Sequence, residues 1–63
     1  MTKTQFNAAL ETLGIESHMA AARVLGIGRN TVIRYAQGDT EVPPIVSRYI
    51  AMLIKHGIPK EYA

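Results

Sequence analysis

Cysteine is absent from the 63 residues, which excludes a disulfide framework and a thiolate zinc site. A reducing, intracellular setting is the simplest fit to that composition. No apolar run approaches the ~20 residues that a membrane-crossing helix needs, and the first residues hold no apolar core of the kind a secretory signal has. The expected location is therefore the cytoplasm. Strand signals, internal repeats, linkers and low-complexity stretches are missing too. Acid is scarce in one region: between Gly14 and Ile33 the only carboxylate is Glu16, against Arg23 and Arg29. The formal net charge of +2 permits a polyanionic partner without requiring one.

What is present reads as helix throughout, in one small domain over residues 1–63. A chain of this size buries only ~60% of the surface it exposes when unfolded, so its stability is marginal and a dimer interface would help. Helix 1 is expected from about Lys3 to Leu13. Thr2 and Gln5 fit a capping box, and Phe6, Ala9, Leu10 and Leu13 recur at helical spacing. Gly14 fits the left-handed stop that follows, with Ile15 packing back on Leu10.

The richest stretch runs from Ser17 to Gly38. Ser17 suits a helix cap, and helix 2 is expected to reach about Leu25, with Ala21, Ala22, Val24 and Leu25 inward. The run Ala20 to Ala22 permits close approach by another helix, and Ala22 is expected where helices 2 and 3 cross. Gly26 breaks helix 2, and Ile27 is expected to plug the core from the turn. Helix 3 then spans about Gly28 to Gln37 and ends at Gly38. On a helical wheel Val32, Tyr35 and Ala36 share its inner side, while Asn30, Arg34 and Gln37 face away, with Arg29 exposed in the first turn. Two short helices joined by a glycine turn, the second with a core face and a polar face, make a helix-turn-helix, the device that presents a helix to the major groove of DNA. Arginines on a helix face are by themselves an ordinary solvated surface; the Ala22, Gly26 and Val32 scaffold beneath them gives them a function.

Asp39 to Val42 reads as a short polar connection. Pro43 and Pro44 suit the start of helix 4, expected from about Pro44 to His56 and stopped by Gly57 and Pro59. Its apolar residues Ile45, Val46, Tyr49, Ile50, Met52, Leu53 and Ile54 cover an arc of roughly 200°, wide for a surface helix facing one core. Either helix 4 is central or part of it meets a second subunit. The second option assigns Ile50, Leu53, Ile54 and Ile58 to a dimer interface. Met19 and Met52 are expected to fill gaps in the core.

Residues 22 to 35, Ala-Arg-Val-Leu-Gly-Ile-Gly-Arg-Asn-Thr-Val-Ile-Arg-Tyr, together with Leu13-Gly14-Ile15 and with Gly38 followed by Val42-Pro43-Pro44, resemble the lambda-repressor/Cro-like helix-turn-helix family. The resemblance covers about Phe6 to Leu53. It implies an all-α fold of four to five helices. It also implies a transcriptional regulator of bacterial or phage origin, commonly a repressor that binds a palindromic operator as a homodimer. The family's base-contacting positions fall on Arg29, Asn30 and Arg34. Arginine suits guanine O6 and N7, asparagine suits adenine N6 and N7, and Ile33 suits a thymine methyl. Ser17, His18, Thr31 and Gln37 are the expected contacts to the DNA backbone, with Lys3, Arg23, Arg48 and Lys55 as further phosphate candidates. The family often has glutamine where this chain has His18, whose imidazole can still donate a hydrogen bond to phosphate. The loop after helix 3 carries Asp39 and Glu41 where a basic residue would grip phosphate better.

Catalysis finds little support. Gly26-Ile27-Gly28 opens like a nucleotide loop, but Thr31 stands at the third glycine position and no strand precedes it. His18 and His56 lie on different helices, and no carboxylate is placed to complete a triad with Ser17 and His18. No cofactor, metal or small-molecule ligand is expected. The alternative to a DNA reader is a helix-turn-helix module that docks a protein partner through helix 4, in the manner of an antitoxin or a phage accessory protein.

Overall fold

Thr2 and Gln5 start the first helix. Gln5 N–H donates to the Thr2 hydroxyl at 3.1 Å and Thr2 N–H donates to Gln5 Oε1 at 2.9 Å, so each satisfies an orphan amide of the other. In the computed structural model, which describes residues 1–62, this capping box opens α1, Lys3–Thr12. α1 buries Phe6, Ala9 and Leu10. Gly14 takes φ +73, and Ile15 N–H reaches back to the Leu10 carbonyl at 2.9 Å, turning the chain toward the next helix.

α2 spans His18–Leu25 behind a Ser17 cap whose hydroxyl accepts from Ala20 N–H at 3.1 Å. Its inward residues are Ala21, Val24 and Leu25. The fully buried alanine is Ala21, at 0% exposure, while Ala22 is only half-buried. Gly26, at φ +69, ends α2 in the left-handed region, and both Gly26 and Ile27 donate to the Ala22 carbonyl. Ile27 packs half-buried on the core, as the sequence predicts. α3, Arg29–Gln37, follows with Gly28 as its N-cap, and packs chiefly on α2 and α1.

Val42 corrects the expectation of a polar connection after α3. It is only 3% exposed and belongs to the core, so an apolar anchor holds the loop down. α4 runs Pro44–His56, and a short 3-10 turn, α5, covers Lys60–Tyr62. No strand occurs among the described residues, and the fold is a small all-α domain.

The core draws one large, fully buried side chain from each of three helices: Phe6 (α1), Val32 (α3) and Ile50 (α4). Phe6 meets Tyr35 edge to face, with ring centroids 5.6 Å apart and planes at 75°, a geometry that aligns ring edge and ring face favourably. No polar or charged residue is buried among the described residues. The radius of gyration, 10.4 Å, matches the about 10.6 Å expected of a 63-residue domain folded around one core.

Ile50 and Leu53 face this core, at 0% and 4% exposure, which removes them from the expected dimer interface. A side chain that fills its own protomer has no surface to offer a second one. Ile58 is half-buried and packs on the same core. Of the four expected interface residues only Ile54 is exposed. Met19 and Met52 are not gap-fillers, being 67% and 58% exposed.

Candidate nucleic-acid interface

α3 has two faces because its residues alternate in kind at helical spacing. Val32 and Tyr35 lock one side into the core. On the other side Arg29, Asn30, Arg34 and Gln37 are exposed, and Thr31 and Ile33 are half-buried. Arg29 with Ile33, and Asn30 with Arg34, are i, i+4 neighbours, so the four side chains form two adjacent rows along the helix. No acidic residue lies within α3 or its first turn.

Gly28 gives α3 no side-chain cap. The first-turn amides thus keep free hydrogen-bonding capacity at the positive end of the helix, beside Arg29 and Asn30. Gly28 itself has ordinary extended dihedrals, φ −70 and ψ 149, and a Cβ there would meet only Thr31 Oγ1 at 3.8 Å. Gly26 differs: its φ of +69 is what allows α2 to stop and α3 to start at the required angle.

The expected backbone contacts are spread over α1, α2 and α3, with the further phosphate candidates on α4. Ser17 and His18 stand exposed at the start of α2. Ser17 Oγ is already an acceptor for the cap and retains its O–H as a donor. His18 lines an open groove with Asn7, Glu11, Glu16 and Ser17, so two carboxylates share the surface through which it would attract phosphate. Arg23 lines a different groove, with Leu13 and Ile58. Lys3 lies at the far end of α3, where its stem covers Gly38: a Cβ built on Gly38 would come 3.0 Å from Lys3 Cδ. A lysine there complements the negative end of the α3 dipole, a structural role beside the expected phosphate contact. Gln37 closes the exposed face, and Asp39, Thr40 and Glu41 follow it in water. Arg48 and Lys55 are exposed on α4.

Asn7 is a residue that the sequence reading missed. Its Nδ2 donates to the Ala36 carbonyl at 3.0 Å, tying α1 to the last turn of α3. The available signal was a poor helix former in mid-helix, next to the apolar stripe but outside it. Among the described residues no group of three or more histidine or acidic side chains could hold a metal ion, and no helix is long and apolar enough to cross a membrane.

No protein-family model matches the chain, and no curated protein or solved structure is found to be similar to it.

Proposed function

We propose that the protein is a sequence-specific reader of double-stranded DNA, a transcriptional regulator that acts as a homodimer on a near-palindromic operator. The observation that carries this reading is the face of α3: Arg29, Asn30 and Arg34 in water on a helix whose opposite side is fixed by Val32 and Tyr35. Bidentate base recognition needs side chains of that kind on a rigid helix, free of competing carboxylates. In the dimer two such helices enter successive major grooves ~34 Å apart, and occupation of a promoter blocks polymerase. Ser17, His18, Thr31 and Gln37 contact the backbone around the groove. The lambda-repressor/Cro-like resemblance supports the same reading, which involves no catalysis and no cofactor, and which places the protein in the cytoplasm.

Titration of a labelled random-sequence duplex at several salt concentrations tests the electrostatic part. The logarithm of affinity is expected to fall linearly with that of salt, with a slope of about −0.9 per phosphate neutralised. Absence of any salt-sensitive binding would sink the proposal.

The exposed Ile45 and Met52 favour a second reading, in which α4 docks a different protein and α3 is only a solvated face. Arg34→Ala separates the two readings, because it removes DNA recognition and leaves an α4 partner bound.

A further inference from the structure

Of the three large apolar side chains that α4 leaves exposed, Ile45, Met52 and Ile54, the first two lie on one side of the helix, with half-buried Tyr49 between them. Ile45, Tyr49 and Met52 follow one another at i, i+4 and i+7, which sets them in one stripe. Ile45 is 77% and Met52 58% exposed. Next to the N-terminal end of the stripe lies an open groove of about 330 Å³ lined by Leu25, Ile45, Val46 and Tyr49. Tyr49 and Val46 pack half-buried against the core, and Tyr49 Oη makes a long hydrogen bond to the Val24 carbonyl of α2 at 3.5 Å. Ile54 lies about half a turn of the wheel away from Ile45, beside Met1, Ala8 and Thr12 of the α1 side.

Charge is polarised along the same helix. α4 contains no acid, and its last turn carries Lys55 and His56. The nearest acid before its first turn is Glu41, in the loop that leads into it. One end of the stripe is therefore acidic and the other basic.

We infer that this stripe docks a second copy of the chain, with α4 packed antiparallel on α4 about a two-fold axis beside Tyr49. Tyr49 lies near the midpoint of the stripe, so the two-fold sets Ile45 against Met52 of the partner subunit, and Met52 against the partner's Ile45. That reciprocity is what an isologous interface demands. Methionine, unbranched and flexible, suits the groove at Leu25 and Val46. The same operation brings Glu41 toward the basic last turn of the other α4 at both ends of the seam, and opposes the two helix dipoles. Arg48, beside the axis but on the outer face, keeps its guanidinium in water, where repulsion between like charges is weak. A seam built on one stripe of a single helix makes the association modest and concentration-dependent. The inference deepens the homodimer of the proposed DNA reader and rests on that proposal for the use of the dimer; its test needs no DNA.

Sedimentation equilibrium of the full chain and of five variants decides it, with helical circular dichroism as the check on folding. Ile45, Met52, Ile54, Glu41 and Lys55 are all exposed, so their substitution leaves the core intact. The parent chain is expected to move from 6.9 kDa toward twice that mass as concentration rises. Ile45→Glu and Met52→Glu should each weaken association roughly 10-fold or more. Ile54→Glu should leave it unchanged. Glu41→Lys should weaken it, and adding Lys55→Glu to the same chain should restore it. A chain monomeric up to about 1 mM overturns the inference. So does dissociation by Ile54→Glu alone, association untouched by the stripe variants, or a charge swap without recovery. Duplex DNA binding by the Met52→Glu monomer is read separately. Its presence leaves DNA contact by α3 standing without the dimer, and an intact dimer that binds no duplex removes the DNA proposal alone.

Discussion

Asn7 of α1 holds the Ala36 carbonyl of α3 at 3.0 Å across 29 residues of sequence, so the far end of the exposed polar helix is tied to a different element. Ala36 lies in the last turn of α3, where carbonyls have no intrahelical partner. Asn7 supplies that partner. Asn7→Ala is expected to lower stability by about 1 kcal/mol, a fall in Tm of roughly 4–8 °C for a domain this small. A thermal melt followed by circular dichroism measures it, and an unchanged Tm would assign the bond no weight.

Arg34→Ala is expected to behave in the opposite way. The side chain is exposed and the core does not use it, so Tm should stay within about 2 °C of the parent. Affinity for a selected duplex should fall by about 1–3 kcal/mol, roughly 5- to 150-fold, the worth of a bidentate base contact. Fluorescence anisotropy on that duplex, beside a melt of the same preparation, tests both halves.

The two glycines of the turn between α2 and α3 should respond differently to substitution. Gly26→Ala places a side chain at φ +69 and is expected to cost about 1–2 kcal/mol. Gly28→Ser has ordinary dihedrals and room for a Cβ, and adds a hydroxyl where α3 has no cap. It should be neutral or stabilising by a few tenths of a kcal/mol, roughly. Urea unfolding of the pair gives the contrast directly.

Phe6→Ala removes a ring with no exposed surface, and should cost about 3–5 kcal/mol. Total stability for 63 residues is of the order of 3–9 kcal/mol, so the variant should be largely or wholly unfolded at 37 °C. Ile50→Glu should do the same, because a carboxylate there would be buried without a partner. A cooperative native-like melt for Ile50→Glu would place Ile50 outside the core.

Helix ends were legible in the sequence because their causes are local. Thr2 with Gln5, Ser17, Gly26, Gly38 and Pro44 each act within a few residues of where they stand, and each begins or ends a helix where expected. The two faces of α3 were legible for the same reason, since Val32 and Tyr35 recur at helical spacing. The misses all depend on distant partners. Val42 is one apolar residue in a polar loop and has no period to announce its burial. The wide apolar arc of α4 could not reveal which part meets the domain's own core. Ile50 and Leu53 meet it, while Ile45 and Met52 do not. Asn7 finds its acceptor on another helix, beyond the reach of any local rule.

The central claim is that the face of α3 reads DNA sequence. Selection from a random duplex pool with the purified, folded chain at roughly physiological salt, followed by sequencing of the bound fraction, tests it most directly. The account predicts an enriched inverted repeat whose half-sites lie about one helical turn apart, lost when Arg34 is replaced by alanine. A folded protein that enriches no sequence would contradict it.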